Sequence, residues 1–71
     1  MRIKYSEGGD GAVIYLKEGQ ATHGRDLAEG VIGHFDESEQ LIKIEILNAS
    51  NRMDLSEIIV EGLRPKTAVQ M

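Results

Sequence analysis

Two histidines, His23 and His34, and the carboxylates Asp36 and Glu45 are the side chains of this sequence best suited to hold a metal ion. Imidazole nitrogens and carboxylate oxygens are the ligands left when no thiolate is on offer, and the chain has no cysteine, which removes thiolate zinc sites and disulfides together. Specific metal motifs pair their histidines closely, as on successive turns of a helix. His23 and His34 instead stand on separate predicted strands, so they meet only if those strands pair in a favourable register. Half-exposed sheet histidines are the simpler expectation. Glu45, set among isoleucines, is expected to pair across strands with His34 or Arg25.

Acid–base catalysis needs two carboxylates in different environments, one desolvated enough to keep its proton. The close pairs here, Asp36 with Glu37 and Glu39, and Glu57 with Glu61, fall in a turn and on an outer face, where charges are solvated. Ser6, Ser38, Ser50 and Ser56 lack the surroundings of an activated nucleophile. Gly8-Gly9-Asp10-Gly11 has no lysine and no following helix, so it is not a phosphate loop. No catalytic or cofactor-binding set is expected, and the chain reads as something other than an enzyme.

The elements that position these residues are mostly strands. Leu41 to Leu47 alternates Ile42, Ile44 and Ile46 with Lys43 and Glu45, the period of a strand with one buried face. Val31 to Phe35 precedes it across Asp36 to Gln40, a connection suited to a type I turn followed by a left-handed residue. Glycine would be free there; Glu39 or Gln40 gives up roughly 1 kcal/mol in that conformation. Ile3-Lys4-Tyr5 alternates, and a glycine-rich turn joins it to Ala12-Val13-Ile14-Tyr15-Leu16, which is apolar on both faces and so central or in contact with another subunit. Ala21 to Ala28, rich in polar residues, reads as an edge strand. Asn48 to Arg52 leaves the sheet as a polar turn.

Asp54-Leu55-Ser56-Glu57 has the spacing of a helix start, and Leu55, Ile58, Ile59 and Leu63 recur at helical intervals, with Val60 off that face. Gly62 and Pro65 stop the segment. The predicted architecture is therefore α+β: an antiparallel sheet of four to five strands, built as hairpins or a meander, with one C-terminal helix packed on one face. One domain spans residues 1–63 and a loose tail follows over residues 64–71. The expected core is Ile3, Tyr5, Val13, Ile14, Leu16, Val31, Phe35, Ile42, Ile44, Ile46, Leu55, Ile58, Ile59 and Leu63.

A chain of 71 residues buries only roughly 60% of its unfolded surface, which leaves a small core. With disulfides and thiolate metal sites excluded, self-association is the expected support. Val13 and Tyr15 on the two-faced strand, together with Val60, are the candidate interface residues, with the Leu41 to Leu47 strand as a further pairing edge. Twelve acidic against eight basic side chains give a formal charge of −4, with no basic cluster, which argues against direct nucleic-acid binding. The longest apolar run, Ala12 to Leu16, is far short of the ~20 residues of a membrane helix. Met1 to Tyr5 lacks a signal-peptide core. A cytoplasmic location is expected.

Tyr5, Asp10, Ile14 and Leu16, followed by Gly30-Val31-Ile32, Phe35-Asp36, Leu41-Ile42, Ile44-Glu45-Ile46-Leu47 and Ala49-Ser50, resemble a family of small prokaryotic proteins known as a domain of unknown function, DUF2283. The resemblance runs over residues 5–50 and is most specific from Asp36 to Ser50. This sequence departs from the family pattern at Ser6 and His34, where the pattern is acidic, at Val13, where it is aromatic, and at Glu39 and Lys43, where it has glycine. Any cation site built on those acidic positions would be weakened here. The resemblance brings no established activity; members resemble the smaller, acidic half of two-protein operons, which implies an antitoxin-like role against a small basic partner. The expectation is thus a non-enzymatic interaction module, a homodimer or higher oligomer, with a small-ligand or metal-binding homo-oligomer as the alternative and no cofactor.

Overall fold

The computed structural model describes residues 1–62. Its alternating and β-branched runs form β1 (Arg2–Ser6), β2 (Gly11–Tyr15), β3 (His23–Ala28), β4 (Val31–Phe35) and β5 (Leu41–Leu47), followed by a one-turn helix, α1 (Ala49–Arg52). The strands make one antiparallel sheet in the order β1-β2-β5-β4-β3. Strands β3, β4 and β5 are a meander, and β2 pairs with β5 after a crossing connection, the Greek-key arrangement read from the C-terminal side. The longest strand, β5, is thereby central. It is not an edge, because both its backbone sides are already paired, with β2 and with β4. The edges are β1 and the polar, fully exposed β3, which discourages further pairing with its charges.

The crossing from β2 to β3 is tied to the sheet end it passes. Leu16 and Lys17 donate their N–H groups to Ile42 O at 2.9 and 3.4 Å, and Thr22 donates to Phe35 O at 2.8 Å. In the β4–β5 turn Glu39 N–H donates to Asp36 O at 3.0 Å, and Glu39 takes the left-handed conformation at φ 66°. This is the type I turn with a left-handed residue expected from the connection length. Asp36 Oδ1 fixes it by accepting from the N–H groups of Ser38 and Gln40 at 2.8 and 2.9 Å. The β3–β4 turn needs Gly30, at φ 75°, where an added Cβ would lie 2.8 Å from the Arg52 guanidinium.

Directly opposed residues of neighbouring strands share a face. One face therefore carries the rows Ile3-Ile14-Ile44-Gly33-Arg25 and Tyr5-Ala12-Ile46-Val31-Ala28. The other carries Arg2-Tyr15-Lys43-His34-Gly24 and Lys4-Val13-Glu45-Ile32-Asp26. One face is apolar over β1, β2, β5 and β4; the other is mixed.

The C-terminal helix expected from Asp54 does not form within the described residues: 54–62 are irregular, and Ile58, Ile59 and Val60 are 67%, 66% and 61% exposed. Asp54, the expected cap, instead binds the N–H and hydroxyl of Ser56 at 3.3 and 2.6 Å, a local turn that competes with helix. Three consecutive β-branched residues add an entropic cost, and so short a helix persists only when packed. The one helical turn lies earlier, where Asn48 to Arg52 was expected to be a plain turn. Asn48 adopts φ 54°, and Ala49 N–H donates to Asp10 O at 2.9 Å.

Without a covering helix the core is thin. Phe35 and Ile42 are buried as expected, joined by Ala12 and Ala49. Ile3, Val13, Ile14, Val31, Ile44 and Ile46 are only half-buried, while Tyr5, Leu16, Leu55, Ile58 and Ile59 are exposed. Leu63 and the expected tail, residues 64–71, lie outside the described residues. No helix among the described residues is long and apolar enough to cross a membrane.

Candidate functional site

The four candidate metal ligands are placed by strand register. His34 lies on the mixed face opposite Lys43, and Glu45 stands in the adjacent row of the same face, opposite Ile32. The two are diagonal neighbours, and His34 Nε2 lies 3.1 Å from Glu45 Oε1, with both side chains partly shielded. The cross-strand partner expected for Glu45 is therefore present. His23 pairs with Phe35 and faces the opposite side of the sheet. Asp36 is occupied by its turn. Of the four, the structure brings together only His34 and Glu45, and among the described residues no three metal-ligating side chains converge.

His23 belongs to a second cluster. Its Nε2 is 2.8 Å from Glu39 Oε2, and the same carboxylate accepts from Arg25 Nη1 at 3.1 Å. The His23 ring stacks on Phe35 at 5.8 Å between centroids, and the Arg25 guanidinium lies over the same ring at 4.0 Å. Edge-strand polar side chains thus roof the one large buried aromatic, with Glu39 as the tie between them. This arrangement shields an apolar ring, using the long stems of polar residues as cover.

A third cluster joins distant parts of the chain. Asp10, left-handed at φ 52°, ends the β1–β2 turn. Its carboxylate accepts from the Tyr5 hydroxyl at 2.8 Å, from Ser50 N–H at 3.0 Å and from the Ser50 hydroxyl at 2.8 Å. The Ser50 hydroxyl, then Tyr5, hold the Asp10 carboxyl below its ordinary range, and the bond to Asp10 pushes the Tyr5 phenol up. Every donor stabilises the anion, which makes Asp10 a clamp that fastens α1 to the first hairpin. Neither composition nor periodicity singles out Asp10 and Ser50; their places in the family pattern are the one signal the sequence carries for them. The interface candidates are separated: Val13 and Tyr15 are half-buried on the mixed face, and Val60 is exposed in the irregular segment.

No curated protein and no solved structure matches the chain. A family model described as "Protein of unknown function (DUF2283)" matches residues 2–50, which contain the whole sheet and the Asp10 clamp through Ser50. The chain belongs to the DUF2283 family of proteins of unknown function.

Proposed function

We propose that this protein is a non-enzymatic interaction module of the cytoplasm that self-associates through the apolar face of its sheet. The observation that carries the reading is that face: Ile3, Ile14, Ile44, Ile46 and Val31 are neighbours across the strands and only half-buried, even with α1 against β2 and the edge-strand side chains over Phe35. The four apolar strands at ~4.8 Å spacing and ~18 Å length give a face of ~350 Å² in projection, and more in accessible area. That falls within the ~300–600 Å² of the largest apolar patch on a typical monomer, which is often functional, and supplies under half of the ~800 Å² per partner of a standard interface. Two such sheets stack ~10 Å apart as a sandwich. Tyr15 and Val13 sit on the other face among Arg2, Lys43 and Glu45, a poorer surface for this purpose. The exposed run Ile58 to Val60 supplies further apolar surface for a second copy to cover.

Support for a non-enzymatic reading comes from Asp36 and Asp54, engaged in turns, Glu39, engaged in the roof, and Asp10, engaged in the clamp. Neutralisation of a small basic partner is a second reading, favoured by the net charge of −4 and by the family resemblance. Light scattering of the purified chain and of an Ile44→Lys variant tests the first. The expected result is a multiple of 7.8 kDa for the former and a folded monomer for the latter. A wild-type chain that is a well-folded monomer at all concentrations would sink it.

A further inference from the structure

A groove of about 530 Å³ opens at the sheet end where β1 begins and β2 ends, bordered by the crossing to β3. Arg2, Tyr15 and Lys43 line it as consecutive members of one cross-strand row on the mixed face. The Tyr15 ring lies between the two cations, 4.2 Å from the Arg2 guanidinium carbon and 5.6 Å from Lys43 Nζ. Lys17 adds a third positive charge from the crossing, where its ammonium donates to Gln40 Oε1, and Glu18 adds one negative charge. None of the three cations has a carboxylate within ion-pairing distance among the described residues. In a chain of net charge −4, this groove is locally positive by about two charges. Half-buried Ala21 gives it an apolar wall beside the buried Ile42.

We propose that the groove binds a small phosphate monoester, its dianionic phosphate held by Arg2, Lys17 and Lys43 and its organic part lying against Ala21 and the edge of Tyr15. Three features favour this ligand class. A dianion balances the local charge. An aromatic ring that orients two cations lowers the ordering cost of a charge-assisted grip. The volume lies within the ~300–1,000 Å³ range of small-molecule sites. The three cations that define the groove stand apart from Ile14, Ile44 and Ile46, and the site does not depend on self-association.

The test is an NMR titration of the full chain at low ionic strength with inorganic phosphate, phenyl phosphate and succinate. Expected are saturable shifts confined to the surroundings of Arg2, Lys17 and Lys43, with phenyl phosphate binding more tightly than inorganic phosphate. Lys43→Gln should weaken binding about tenfold, as loss of one charge-assisted bond implies, and Lys4→Gln, a charge-matched change outside the groove, should leave it unchanged. Lys17→Gln, in an exposed connection, provides the same comparison if Lys43→Gln disturbs folding. Non-saturable shifts at Lys4 as much as at Lys43, or equal effects of the two substitutions, would overturn the site in favour of a diffuse ion atmosphere. Succinate binding as tightly as phenyl phosphate would overturn the phosphate assignment.

Discussion

Glu39 joins a backbone cost to a side-chain gain, and two substitutions separate them. Glu39→Gln keeps the left-handed residue at φ 66° but removes the charge that meets His23 and Arg25 at 2.8 and 3.1 Å. Exposed pairs contribute roughly 0.2–1 kcal/mol each, and with the Glu39 side chain 60% exposed the lower part of that range applies, about 0.5 kcal/mol for both together. Glu39→Gly removes the same charge and also relieves a left-handed conformation that costs ~1–2 kcal/mol, offset by ~0.4–1 kcal/mol of added unfolded-chain entropy. The glycine variant should therefore exceed the glutamine variant by about 0.8 kcal/mol, the middle of the ~0–1.6 kcal/mol that these ranges span. For a domain of this size the middle value is a melting difference of roughly 3–6 °C. Urea midpoints at one fixed protein concentration, in low and high salt, provide the assay. Added salt should erase most of the loss in Glu39→Gln and leave the gap between the two variants intact. A glycine variant no more stable than the glutamine one, or a gap that closes in salt, would refute the turn assignment.

Two further outcomes follow from the clamp and the thin core. Because Asp10 is held below its ordinary value near ~3.9, its contribution is present above that value and is lost as pH falls through the lower folded one. Tyr5, raised by Asp10, contributes below its ordinary ~10 and loses that contribution as pH rises through its folded value. Asp10→Asn should flatten the acid limb of a plot of urea midpoint against pH, and Tyr5→Phe the alkaline limb; unchanged limbs would count against the clamp. Gly33→Ala places a Cβ 3.0 Å from Leu27 Cδ1 and 3.1 Å from Phe35 Cε1, so it should destabilise by about 1–3 kcal/mol through overpacking, measured by the same urea midpoints; a neutral effect would show that the Phe35 roof is loose.

Strand positions were legible because their signals are local. The alternation of Ile42, Ile44 and Ile46 belongs to β5, the polar composition of Ala21 to Ala28 marks edge strand β3, and the connection length calls for a left-handed residue at Glu39 or Gln40, which the structure has at Glu39. Strand order was not legible, since the β2–β5 pairing joins residues far apart in sequence and follows from closure of the whole sheet. Without that order the central position of β5 does not follow, and the placement of His23 and His34 on opposite faces depends on the register of the β3–β4 hairpin. The false helix at Asp54 has a similar origin: capping-box spacing and periodic leucines and isoleucines encode a helix only where a surface receives it. Here the Asp54–Ser56 turn and the β-branched run prevail. The Asp10 clamp escaped composition and periodicity alike, because its three side chains meet only after β2 and β5 pair.

The central claim is that the apolar face is a contact between copies, and the most direct measurement is isotope-filtered NMR on a mixture of labelled and unlabelled chains. Intermolecular contacts from the methyl groups of Ile14, Ile44 and Ile46 are the predicted result. Contacts from Val13 and Tyr15 instead would move the interface to the mixed face, and an absence of intermolecular contacts in a folded sample would contradict the account.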